Sequence, residues 1–170
     1  KIFHAERDSG KIDTTPKAQF HKYSMNLSYY KPITNKLVYR ANVSGSYSND
    51  VLYGSERQTI GGVGSVGGFK NDTIQGDKAV EIDNEISYNI PIKKFAIISP
   101  YLSYGYGTAK YNKDNSKYAR GYVTGITTGL RLNTKYFDFD FGYAKPMAHS
   151  DYLNPKKQDI YFSGNMKISF

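Results

Sequence analysis

An all-β, antiparallel, up-and-down barrel of the membrane-spanning kind is the fold class this sequence predicts, and three observations predict it. Apolar residues fall on every second position over segments longer than the roughly five or six residues of most globular strands. Membrane strands need about 9 to 11. The segments are joined alternately by short turns and by longer polar loops, and one long Gly-rich stretch interrupts the alternation.

Residues 1–7 read as the tail of a strand, and 8–17, with Ser9-Gly10 and Pro16, as a polar loop. A strand follows from about Ala18 to Tyr30, with Tyr23, Met25, Leu27 and Tyr29 on one face and Lys22, Ser24, Asn26 and Ser28 on the other. After the turn at Pro32-Ile33-Thr34-Asn35, Lys36 to Ser48 sets Leu37, Tyr39, Ala41 and Val43 against Arg40, Asn42, Ser44 and Ser46. Beyond the Gly-rich stretch, Lys78 to Ile90 sets Val80, Ile82, Ile86 and Tyr88 against Glu81, Asp83 and Glu85. Three carboxylates sharing a face would repel in a closed apolar core, so that face must see water or cations.

A short turn at Pro91 to Lys94 leads into Phe95 to Lys110, where Ile98, Leu102, Tyr104 and Tyr106 oppose Ser99, Ser103, Gly105 and Gly107. The strand from Tyr118 to Leu132 opposes Tyr122, Ile126, Leu130 and Leu132 to Gly125, Thr127, Gly129 and Arg131. Tyr136 to Ala148 alternates most plainly, Phe137, Phe139, Phe141 and Tyr143 against Asp138, Asp140 and Gly142. The last strand is expected from Ile160 to Phe170. Short turns after Tyr30, Ile90 and Leu132 and longer loops after Arg7, Ser48, Lys110 and His149 make the loop asymmetry of outer-membrane barrels.

The interruption is a long loop, 49–77, whose core reads SERQTIGGVGSVGGFKNDTIQGD from Ser55 to Asp77. Loops of this length are uncommon and usually functional. Gly62, Gly64 and Gly67 spell G-x-G-x-x-G, but the dinucleotide fingerprint needs a helix opening on it, and no 3.6-residue period follows. The glycines fit positive φ angles and close packing against a wall better.

Composition excludes several classes. The absence of Cys removes disulfide scaffolds and thiolate metal sites. His4, His21 and His149 lie in separate segments with no carboxylate at ligand spacing, so neither a zinc site nor a nucleophilic triad assembles, and no cofactor or enzymatic activity is expected. The net charge of +8 is spread over lysines of turns and loops and reads as a solvated rim with no stripe. Aromatics and bases occupy different faces, which argues against nucleic acid. The 17 Tyr and 9 Phe suit aromatic girdles at two membrane interfaces. The chain starts at Lys1 with no signal peptide and reads as a piece of something longer.

The stretch S-E-R-x-x-I-G-G-x-x-S-V-x-G-F followed by G-D, covering Gly61, Gly62, Ser65, Val66, Gly67, Gly68, Phe69, Gly76 and Asp77, resembles the sixth extracellular loop of the two-partner secretion transporters. That is the haemolysin activator and filamentous haemagglutinin exporter family, within the BamA-type superfamily. The resemblance implies that 1–170 is the C-terminal portion, about eight strands, of a wider outer-membrane barrel in a Gram-negative bacterium, with the loop folded inward as a plug. It further implies export of an unfolded β-helical haemolysin or adhesin without ATP. Assembly of other barrels within the same superfamily, and recognition by a small soluble β-barrel, are the alternatives.

In the family the loop motif ends V-R-G-F or V-R-G-Y, and its Arg pairs with an acidic residue on the second strand after the loop, within F-x-D-x-G. Here Gly67 replaces the Arg and Gly105 stands where the Asp is expected. Losing one partner would strand a charge, whereas losing both is nearly neutral. The loop is therefore expected to rest on backbone contacts or on Phe69, or to stay mobile, with Glu81, Asp83, Glu85, Gly105 and Gly107 as its lumen-facing partners. Gly164, Ile168 and the terminal Phe170 resemble the signal read by the outer-membrane assembly machinery. Open strand edges are expected to find lipid-excluded partners, each other or another copy.

Overall fold

Alternation this regular forms a sheet because every second side chain finds the same environment across neighbouring strands. The structure is a computed structural model describing residues 15–16, 18–92, 95–114 and 116–167. Its strands are β1 (Tyr23–Pro32), β2 (Leu37–Tyr47), β3 (Gln58–Gly61), β4 (Thr73–Gly76), β5 (Lys78–Tyr88), β6 (Ile90–Ile92), β7 (Ala96–Lys110), β8 (Arg120–Thr134), β9 (Phe137–His149) and β10 (Asp159–Met166). All except β3 and β4 form one antiparallel sheet in the order β1-β2-β5-β7-β8-β9-β10, with β6 continuing β5 against β7. Each neighbour is the next strand of the meander, so no long crossover is needed. β7 and β8 reach 15 residues each.

The two faces are inverted relative to a water-soluble sandwich. Leu27, Leu102, Tyr104, Phe139, Phe141 and Phe162 are exposed, as are most large apolar side chains of the strands. The opposite face holds Glu85, which is 7% exposed, with Ser87, Ser99 and Ala144, all buried. We call these the apolar face and the loop face, because the segment between β2 and β5 folds over the second.

Several boundaries differ from the expectation. β1 begins at Tyr23, not Ala18, because its pairing with β2 starts opposite Tyr47; it runs on to Pro32, tolerable at the end of an edge strand. Tyr101 stands on the loop face, in register with Ser87 and Gly129. β10 ends at Met166, and the proposed tail of a strand at 1–7 lies outside the described residues, as do Ile168 and Phe170. Gly164 sits opposite Phe139 near the exposed end of β10.

The largest correction concerns the loop, which has structure of its own. A 3-10 turn at Gly54–Glu56 precedes the ribbon β3-β4, in which Ile60 faces Ile74. A lone two-stranded ribbon is marginal in water. This one persists because both isoleucines are buried against the sheet.

Candidate functional site

The loop supplies the apolar core that the sheet lacks. Ile60, Val66, Phe69 and Ile74 of the loop cluster with Ala79, Ala109 and Val123 of the wall, and Tyr152 and Leu153 pack at the edge. Phe69 is fully buried, its ring edge-on to His149 at 6.1 Å between centroids. Each fully buried side chain of this size contributes about 1.5–3 kcal/mol.

Close approach depends on glycines in the wall. A Cβ at Gly107 would fall 2.4 Å from Ile60, and one at Gly125 would fall 1.8 Å from the carbonyl oxygen of Gly67. Gly105 lies beneath Val66, and Gly121 beneath Ile74. The wall strands β7 and β8 thus present bare backbone where the loop lies flush. Gly68 has φ +87 and rests on the backbone of Lys145 and Pro146, beside the bulge where the β8–β9 register shifts at Thr124/Gly125.

The tip is held by hydrogen bonds from loop N–H groups and from Ser65, most of them to side chains of the sheet. Gly62 N–H donates to the Phe69 carbonyl at 2.7 Å, Gly68 N–H to Tyr161 Oη at 3.3 Å and Lys70 N–H to Asp159 Oδ2 at 3.0 Å. Ser65 Oγ accepts from Gly61 N–H at 2.9 Å and donates to Glu81 Oε1 at 2.6 Å. Val66, not Gly67, stands over Gly105; a Cβ at Gly67 would instead meet Thr127 and Ala144. The Gly67–Gly105 pair inferred from the family's Arg and Asp is therefore not face to face in this geometry.

At the root, fully buried Asp77 closes the loop. Its carboxylate accepts from Leu52 N–H at 2.9 Å, Arg57 Nε at 3.0 Å and Asn112 N–H at 2.7 Å. Asn112 Nδ2 in turn donates to the carbonyls of Ser48 and Asp50, and the Arg57 guanidinium covers the Tyr111 ring at 4.6 Å. Gly76, just before, abuts the backbone of Lys110. The neighbouring 111–119 connection is thereby tied to the root of the loop.

Towards the short turns, the same face is charged. Arg131 reaches from β8 across Tyr101, its guanidinium 4.1 Å from the ring centroid, to make paired hydrogen bonds of 2.6 Å to Glu85 on β5. Its Nε bonds Asp140 at 2.8 Å, Tyr101 Oη donates to Asp140 at 2.9 Å, and Arg40 bonds Glu85 at 2.8 Å. Paired guanidinium–carboxylate geometry is among the strong forms of hydrogen bond. Asp83 lines a cleft of about 700 Å³ between this network and the loop tip, bordered by Asn26 and Ser28 of one edge strand and Ser163 of the other.

Alternation puts Glu85, Arg40 and Arg131 on the polar faces of their strands without showing that they meet, and it does not place Tyr101 among them. Among the described residues no group of His, Asp and Glu has the arrangement to hold a metal ion.

Residues 1–132 match the family model described as haemolysin secretion/activation protein ShlB/FhaC/HecB. The chain is 28% identical over 166 residues to the outer membrane transporter CdiB of Escherichia coli, covering 94% of this chain and 27% of that protein. It is 24% identical to the hemolysin transporter protein HpmB of Proteus mirabilis, over 75% of this chain and 23% of that protein. The solved structure of CdiB from Escherichia coli superposes with a TM-score of 0.85 at 26% identity, over 95% of this chain and 30% of that one. CdiB from Acinetobacter baumannii gives 0.70 at 26% identity, over 88% and 27%. The chain spans less than a third of the length of these relatives, and its eight-stranded antiparallel sheet matches the CdiB structure. By the family match over residues 1–132, it belongs to the ShlB/FhaC/HecB haemolysin secretion/activation family.

Proposed function

We propose that this chain is the C-terminal part of a transmembrane barrel in the outer membrane of a Gram-negative bacterium, and that the intact barrel exports an unfolded, β-helical haemolysin or adhesin. Segment 49–77 is its inward-folded plug. One observation carries the reading: the apolar side chains point away from the loop, while the carboxylates and the loop share the other face. Hydrocarbon suits the first surface, and a water-filled lumen the second. An extended polypeptide passing such a lumen meets hydroxyls, paired charges and glycines, with little apolar surface to trap it.

The test is secretion. Cells carrying the intact protein and a β-helical partner should release that partner into the medium, and cells without the intact protein should retain it in the periplasm. Unchanged release, or a loss of other barrels from the outer membrane in its place, overturns the reading.

A further inference from the structure

The apolar face carries a feature that the scattered lysines of the sequence conceal. Cross-strand register aligns Tyr23, Tyr47, Lys78, Lys110 and Arg120 in one row, each the direct partner of the next. Partners in an antiparallel pair share a face. Three cations therefore stand side by side on β5, β7 and β8, at the end bearing the long loops. Like charges directly opposite one another destabilise a sheet.

Among the described residues no carboxylate compensates them. In the eight-stranded sheet every Asp and Glu of a strand alternates onto the other face. Lys78 leans over the Tyr47 ring at 4.6 Å and donates to Asn49 Oδ1 at 3.2 Å. The Lys110 and Arg120 side chains have no hydrogen-bond or ion-pair partner among the described residues, and both residues are exposed. Below the row, towards the middle of the strands, a shallow groove of about 560 Å³ opens over Met25, Gly45, Val80 and Thr108. Small residues there leave an apolar trough that ends at the three cations.

We propose that this trough and row bind a phosphate-bearing membrane lipid, an acyl chain lying on Gly45 and Val80 and its phosphate held by Lys78, Lys110 and Arg120. The charge is complementary, and the separation of an apolar floor from a cationic end matches an anionic amphiphile standing in a leaflet. Basic side chains near a membrane surface are worth roughly a fivefold gain in anionic-lipid binding each. The site rests on the membrane reading of the preceding subsection.

The experiment uses the intact protein in nanodiscs of neutral lipid, titrated with lipid A or with its dephosphorylated form and read by native mass spectrometry. Insertion into neutral nanodiscs tests the membrane reading separately; failure there overturns both. With insertion intact, wild type should retain lipid A, and the K78Q/K110Q/R120Q variant, losing about fivefold per cation, should bind it about a hundredfold more weakly. A variant at the other end, K31Q/K36Q/K135Q, should bind as wild type does. Equal retention of the phosphorylated and dephosphorylated lipids, equal losses in the two triple variants, or an effect on self-association alone would overturn the site.

Discussion

One face of the sheet is filled in two different ways. Towards the long loops the wall strands drop their side chains, and an apolar loop lies on bare backbone over Gly105, Gly107, Gly121 and Gly125. Towards the short turns the wall keeps its side chains and pairs them, Arg131 bridging Glu85 and Asp140 over Tyr101. The first half is closed by burial and shape, the second by charge, and the cleft lies between them. A loop held mainly by shape can be lifted without breaking an ion pair at its tip, whereas its root is fixed by Asp77.

Mutations in the two halves should consequently fail differently. Phe69→Ala removes the most buried aromatic of the loop and should cost about 3–5 kcal/mol in heat or denaturant unfolding of the intact protein in micelles. It should also open the loop to trypsin at Arg57 and Lys70; destabilisation without new cleavage there would mean that Phe69 does not hold the loop. Arg131→Met comes next, at about 2–4 kcal/mol, since it leaves Glu85 and Asp140 facing each other with less compensation. Because Arg131 keeps some solvent exposure, the lower end applies, and the loop should stay protected from trypsin.

Gly107→Ala puts a methyl group against Ile60 and should cost about 1–3 kcal/mol by overpacking, with trypsin cleavage of the loop rising in step. If Gly107→Ala leaves both readouts unchanged, the flush contact is not what positions the ribbon. Smallest is Asp83→Asn. It sits between Glu81 and Glu85 on the same face, so removing its charge relieves repulsion and should change stability by at most about 0.5 kcal/mol, in the stabilising direction. A clear loss of stability would show that Asp83 has a partner in the cleft.

The alternation of Phe137, Phe139 and Phe141 with Asp138 and Asp140 makes both faces of β9 legible from the amino-acid order alone. The loop lengths are equally plain, because Asn, Gly, Ser and Lys cluster where strands end. The ribbon β3-β4 is not legible. Ile60 and Ile74 are each isolated among Gly, Ser, Thr and Gln, and only the wall beneath them turns two short segments into a pair. The Arg131–Glu85 pair is hidden for another reason: the residues lie two strands apart, and whether they meet depends on register, which alternation leaves open. Without register, Lys78, Lys110 and Arg120 likewise look like scattered charge.

On the proposed function, the apolar face meets hydrocarbon and the loop face meets water. Single spin labels at 82, 83, 139 and 140 of the intact protein, reconstituted in lipid, test it by collision with oxygen and with a water-soluble nickel chelate. Labels replacing Ile82 and Phe139 should respond chiefly to oxygen and those replacing Asp83 and Asp140 chiefly to the chelate, alternating residue by residue. Chelate access at 82 and 139 equal to that at 83 and 140, or the reverse order, would overturn this orientation of the sheet.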